Sequence, residues 1–257
     1  MKKFINILKS DFSRGVFCKR FIIAVIGMIL AIVFASWKSL FLNDDQRIQG
    51  LSPGYFLGFV NMALQSEGVL FVLPVLSTLP FAAHFMEEFR TWFSNFLLIR
   101  SKKKQYILSK IIVNGICGGL CISIGTLLVI GVCAIFYLPM ELDQGGYSLS
   151  LFFNTTLLLI LKISLMGMFW ASLGTLLGIM NKSIYMVYGG PFLVNYMLVI
   201  LVTRYFTSAH ILNPREWLMQ QHMWRDNGAL MCAFLFGICV VVILLEGVSI
   251  RWKLERK

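Results

Sequence analysis

The chain has 257 residues, of which 58% are hydrophobic and only 14% charged, with a formal net charge of +11. A soluble domain carries about a quarter charged residues, so charge here is too scarce to cover a water-facing surface. A mean hydropathy of +0.78 agrees. The basic residues cluster between long apolar blocks, where membrane topology signals lie, which argues against nucleic acid as a partner.

Residues 1–20 predict an amphipathic helix at a membrane surface. Phe4, Ile5, Ile7, Leu8 and Phe12 group on one side, with Lys2, Lys3, Lys9 and Asp11 off that stripe. A basic topology anchor with no further role has the same pattern. The first apolar block, Phe21 to Trp37, follows this basic lead. No small-residue cleavage site comes after it, so it reads as a retained span rather than a signal peptide.

A polar stretch, Asn43 to Gly54, holds the turn formers Asp44, Asp45, Ser52 and Pro53. Tyr55 to Gln65 predicts a short interfacial helix leading into a second span, Gly68 to Phe85, which carries Pro74 and Pro80. A third span covers Ile111 to Leu138, and an acidic loop follows with Glu141 and Asp143. The fourth block, Leu151 to Met180, is longer than the roughly 20 residues a span needs. Asn181 to Ser183 make a turn, the fifth span runs from Ile184 to Val202, and the sixth from Ala229 to Ile250. Between these last two lies a polar segment, residues 204–227, which Asn213 and Pro214 break.

This gives an all-α integral membrane protein of about six transmembrane helices in a single domain, residues 1–257. Lys2, Lys3, Lys9, Arg14, Lys19, Arg20, the cluster from Arg90 to Lys110, Lys182 and the tail from Arg251 to Lys257 then share one side. Only Lys38, Arg47, Arg204, Arg215 and Arg225 fall on the other. Positive charge marks the cytoplasmic side, so both termini are expected inside, in a plasma-membrane protein.

The segment FMEEFRTWFSNFLLIRSKKKQYILSK, Phe85 to Lys110, carries the most information. Glu87 and Glu88 stand where the second span leaves the bilayer. Phe89, Trp92, Phe93, Phe96 and Leu97 then fall at i, i+3, i+4, i+7 and i+8, an apolar stripe on a short helix within the cytoplasmic coupling region 86–105. Such a helix suits docking of a soluble partner, and equally suits a passive connector lying on lipid. A basic turn, Lys102 to Lys104, precedes re-entry through Lys110.

In these residues the chain resembles the permease subunits of ABC-2 type transporters, six-span exporters. Those permeases place acidic residues at the second-span exit, then a coupling helix, a basic turn and a lysine at re-entry. The counterparts here are Glu87 and Glu88, Trp92 to Ile99, Lys102 to Lys104, and Lys110. The family often has a glycine where this chain has Thr91, and a proline where it has Arg100. The resemblance implies the membrane half of an ATP-driven exporter that pairs with a dimer of a cytosolic ABC ATPase and with a second permease copy or a related permease. ATP and magnesium would be bound by the ATPase, with no cofactor in this chain; no GxxxxGK[ST] phosphate loop occurs in it. The ATPase-docking residues implied are Glu87, Glu88, Phe89, Trp92, Phe93, Phe96, Arg100, Lys102 and Lys103. The polar segment 204–227 matches the family's outer, partly re-entrant element.

Lys162 lies inside the fourth apolar block, where a charge is costly by roughly 3 kcal/mol. It either lines a translocation route or pairs with another subunit, or else snorkels to the outer interface. Glu246, near the end of the last span, is expected to reach interfacial water. Gly115/Gly119 and Gly174/Gly178 have the spacing of close helix packing. Trp37, Trp217 and Trp224 fall near predicted interfaces, as an aromatic belt would have it. The 6 cysteines form no CxxC pair and read as small buried hydrophobes. Catalysis finds no support: His84, His210 and His222 lie on opposite sides, HExxH is absent, and Glu87–Arg90 has the wrong spacing for the EExxxR of intramembrane proteases. A non-transporting membrane binding, scaffold or immunity protein is the alternative, since it would share these features.

Overall fold

The computed structural model describes residues 2–41, 54–91, 93–100, 102–140, 149–206, 210–219 and 228–255, and these are helical throughout apart from turns. In chain order the helices are α1 (Lys2–Val16), α2 (Lys19–Phe41), α3 (Tyr55–Leu64), α4 (Glu67–Thr78), α5 (His84–Arg90), α6 (Phe93–Arg100) and α7 (Lys103–Tyr137). They continue with α8 (Leu149–Asn181), α9 (Ile184–Arg204), α10 (Pro214–Met219) and α11 (Gly228–Glu255). Among the described residues 5 helices are long and apolar enough to cross a membrane, and the count reaches 6 if α3 and α4, bent by 73°, make one span. The expected turn at 43–53, the acidic loop from Glu141 and the stretch 220–227 with Trp224 lie outside the described residues.

The long helices pack around α8, which contacts α4, α7, α9 and α11. The α7–α8 contact is close because it is built on glycines. A Cβ on Gly118 would sit 2.4 Å from the Ala171 Cβ, and one on Gly167 would sit 2.6 Å from the Gly118 carbonyl oxygen. Gly119 and Gly178 also lie against neighbouring helices of this chain, Gly119 on Ser164 and Gly178 on Val187. Outward faces are apolar instead: Ile22, Ile26, Leu30 and Phe34 on α2, and Val241, Leu244, Leu245 and Val248 on α11, are all well exposed. Contiguous exposed apolar helix faces of this extent belong to a protein whose solvent is a bilayer. The cysteines among the described residues are all free thiols, five of them buried.

Helix α4 differs from the expected span. It starts at Ser66, whose Oγ accepts the Val69 N–H at 3.3 Å, and it stops at Thr78, so Pro80 falls in a turn instead of within a helix. Pro74 has no N–H for the carbonyl of Leu70, four residues back. Asn195 on α9 supplies the missing donor, with its Nδ2 3.0 Å from that carbonyl oxygen. A buried side chain from one helix thereby completes the broken ladder of another, as a membrane interior requires.

The segment before the last span also differs. Asn213 caps α10, its Oδ1 accepting the Arg215 N–H at 3.1 Å, with Pro214 at the first helical position. Trp217 is not part of an interfacial belt. It is 2% exposed, donates to the Ile211 carbonyl at 2.7 Å and meets the Phe169 ring edge-on at 5.5 Å. The segment is polar on average, yet it plugs one end of the bundle with an indole.

Contacts sort the molecule into two ends. Arg20 meets Glu87, Lys103 meets Glu255, and Lys253 donates to Ile179, which gathers the starts of α2 and α7, helix α5 and the ends of α8 and α11. At the opposite end Arg215 meets Glu67, and Tyr55 packs on Tyr137.

Candidate functional site

The basic end holds most of the residues singled out in sequence, and its organising feature is a buried ion network. Lys110 on α7 is 1% exposed and its Nζ lies 2.9 Å from Asp11 Oδ1 and 2.7 Å from Glu88 Oε1. Asp11 Oδ2 accepts from Ser109 at 2.7 Å, and Glu88 Oε2 accepts from the Tyr106 hydroxyl at 2.8 Å. Every carboxylate oxygen therefore has a donor, which is the condition under which a buried ion group holds together. Arg14, half-exposed at the edge, approaches Glu88 at 3.7 Å and offsets the second negative charge. Outside this knot, Glu87 pairs with Arg20 at 2.8 Å.

The network corrects the reading of the N-terminal helix. Asp11 is not on a water-facing side; it is 3% exposed. Leu8 and Phe12 pack with Phe81, Val113 and Cys117, so the inward face of α1 is 8, 11, 12 and 15. Gly15 completes it, lying so close to α7 that a Cβ there would be 2.5 Å from the Cys117 Sγ. Ile5, counted in the apolar stripe, is 54% exposed. The helix is docked on α7 through a charge that the apolar stripe conceals.

The single stripe from Phe89 to Leu97 is also divided. Helix α5 ends at Thr91, whose N–H and Oγ1 both bond the Glu87 carbonyl at 3.0 and 2.9 Å, and α6 begins separately at Phe93. A hydroxyl that bonds back to the preceding turn competes with helix continuation. Phe89 turns inward beside Lys253, whose Nζ is 5.2 Å from its ring centroid. On α6, Leu97 and Leu98 pack toward Phe85, Met86 and Tyr106, while Phe96 and Ile99 are 65% and 83% exposed. Glu88 is buried in the ion network and presents no surface. Lys102 is exposed and Lys103 pairs with Glu255 at 3.7 Å. Trp92 and the side chains of Phe93 and Arg100 lie outside the described residues.

Sequence reasoning gave no site role to Asp11, Tyr106 or Ser109, and Ile99 stood outside the docking set although it is the i+3 neighbour of Phe96.

At the other end Lys162 is 5% exposed, and its Nζ donates to the Leu218 carbonyl of α10 at 3.2 Å. It borders a cavity of about 350 Å³ that also meets Asn61, Thr155 and Cys232. Snorkelling to an interface is thereby replaced by burial under the α10 plug. Glu246 likewise does not reach water: it is 1% exposed, and its Oε1 accepts from Asn114 Nδ2 at 3.0 Å. The same amide contacts Thr175 Oγ1 at 2.8 Å, so polar groups of α7, α8 and α11 collect in one buried patch. No group of three or more His, Cys, Asp or Glu able to hold a metal occurs among the described residues.

Fold and site together define a membrane protein, helical throughout its described residues, with an ion-locked basic end. Residues 20–256 match the family described as a protein of unknown function (DUF2705), and the chain belongs to that family. No curated protein matches it.

Proposed function

We propose that the chain is the membrane permease subunit of an ATP-driven ABC exporter of the plasma membrane, working with a cytosolic ATPase dimer and a second permease, itself or a relative. The observation that carries this reading is the pairing of an exposed apolar edge with a rigid mount. Phe96 and Ile99 project from α6, while α5 and α7 on either side of it are joined to α1 by the Asp11–Lys110–Glu88 network. A force applied to α6 passes into α7, the 35-residue helix that crosses the bundle. Energy transfer of this kind needs a rigid contact whose affinity differs between two states, and an exposed aromatic is the usual anchor of such a contact.

In this reading residues 67–87 supply the remaining crossing, which is supported by Glu67 meeting Arg215 at one end and Glu87 meeting Arg20 at the other. Six passes would leave both termini on the basic side, which the positive-inside rule assigns to the cytoplasm. ATP and magnesium belong to the partner. In this reading Lys162, buried beside a cavity between α3, α8 and α11, would line the substrate route at the outer end.

The test is affinity purification of the tagged protein in mild detergent, followed by identification of co-eluting chains. A stoichiometric cytosolic ATPase supports the reading; a folded sample without one turns it toward a stand-alone binding or immunity protein. Replacing Trp92 and Phe96 together with Ala is expected to abolish ATPase-coupled transport while leaving membrane insertion intact. Unchanged transport in that variant would remove α6 as the docking element.

A further inference from the structure

At the basic end a groove of about 940 Å³ opens between α5, the α8–α9 turn and the end of α11. Its floor is apolar, with Met86, Phe89 and Ile179, and its rim brings together Arg90, Lys182 and Lys253. No Asp or Glu is among the residues that line it. The fold holds the ammonium of Lys253 and the backbone of Lys182. Lys253 Nζ donates to the Ile179 carbonyl at 3.2 Å and stands 5.2 Å from the centroid of the Phe89 ring. Lys182 closes α8 in the left-handed region, with φ of 54°, while the Ser183 N–H reaches back to the Gly178 carbonyl at 3.2 Å. Glycine or asparagine normally takes that capping position, because a side chain is strained there. A lysine that keeps a strained backbone on the rim of a basic groove points to use of its ammonium.

The lip of the groove continues into the lipid-facing surface. Met180, Tyr185 and Trp252 are 67%, 87% and 52% exposed, and the exposed Leu244, Leu245 and Val248 follow along α11. Amphipathic aromatics at such a place mark the boundary between bilayer and water.

We propose that this groove binds one anionic phospholipid. Its phosphate lies among Arg90, Lys182 and Lys253, and an acyl chain runs along Met86, Phe89 and Ile179. A small free anion has no use for the apolar floor, and a neutral lipid has none for three cations. Basic pockets between helices at the inner membrane face have the chemistry for such headgroups. The inference rests on membrane embedding and not on the permease reading, so an unsuccessful search for an ATPase leaves it standing.

The experiment is thermal melting of the purified full chain in neutral detergent, titrated with phosphatidylglycerol, with phosphatidylcholine of the same chains, or with glycerol phosphate. Phosphatidylglycerol is expected to raise the melting temperature, with little effect from the other two. Each cation neutralised, as Arg90→Gln, Lys182→Gln or Lys253→Gln, is expected to shift the titration midpoint roughly fivefold. Lys182→Gly separates structure from binding: it relieves the backbone, so melting without lipid stays equal or rises, while the lipid response weakens. That variant decides the matter if the triple substitution fails to fold. Equal shifts with phosphatidylcholine, an equal shift with glycerol phosphate alone, or an undiminished response in the folded variants would each overturn the proposal. Loss of a co-purifying protein with an intact lipid response would assign the groove to protein docking instead.

Discussion

Two lysines are buried among the described residues, one toward each end of the bundle, and their surroundings are opposite. Lys110, 1% exposed, has a carboxylate on two sides, and the leftover oxygens of both carboxylates are occupied by Ser109 and Tyr106. Lys162, 5% exposed, has a single carbonyl partner among the described residues and a cavity beside it. A buried cation with all its partners in place is part of the frame. One that keeps donors to spare next to an open space is available to something that is not part of the fold. The same residue type thus serves a fixed role at the basic end and an open one at the other.

The sharpest way to break this contrast is Lys110→Met. It leaves Asp11 and Glu88 buried together without their cation, a loss of about 3–5 kcal/mol by the general cost of stranding buried charge. The expected readout is a large fall in folded yield and in melting temperature in detergent. Adding Asp11→Asn and Glu88→Gln to that variant is expected to recover much of the loss, because the stranded charges are gone. If Lys110→Met melts like the parent, the network is not what holds α1 to α7. A finer cut is Tyr106→Phe, which removes only the hydroxyl that Glu88 Oε2 accepts from at 2.8 Å. Leaving that oxygen unpaired costs about 1–3 kcal/mol, and the melting temperature should fall by correspondingly less than for Lys110→Met.

Much of the fold was legible because a bilayer imposes block length. The spans expected from Phe21, Ile111, Leu151, Ile184 and Ala229 correspond to long helices α2, α7, α8, α9 and α11. Faces were not legible, for the same reason. A helix that is apolar all round carries no period to tell its protein side from its lipid side, so Glu246 could not be placed; Trp217, in a polar segment, reads as interfacial until its packing on Phe169 is known. At Asp11 the period was present, but the charge masked it: a carboxylate counts as outward until its cation, 99 residues away in sequence, is known. The end of α4 at Thr78 and the break at Thr91 depend on local bonds. In an apolar run, Ser77 and Thr91 hydroxyls turning back on the Pro74 and Glu87 carbonyls leave little trace. Of the site, the acidic pair was readable as composition, while the division of Phe89 from Phe96 was not, and Lys103 and Lys104, read as a turn, open helix α7 instead.

Lys162→Met completes the contrast and carries the smallest expected change in stability. Methionine fills much of the same volume, and removing an ammonium whose burial is only partly offset is neutral or stabilising. The melting temperature is therefore expected to stay level or rise slightly, the reverse of Lys110→Met. Transport should nonetheless fall, because the cavity between α3, α8 and α11 loses its charge. A variant that folds and transports normally would make Lys162 a tie between α8 and α10 and nothing more. A variant that loses stability as Lys110→Met does would mean that Lys162 has ionic partners beyond the Leu218 carbonyl, and that the two ends of the molecule are built alike.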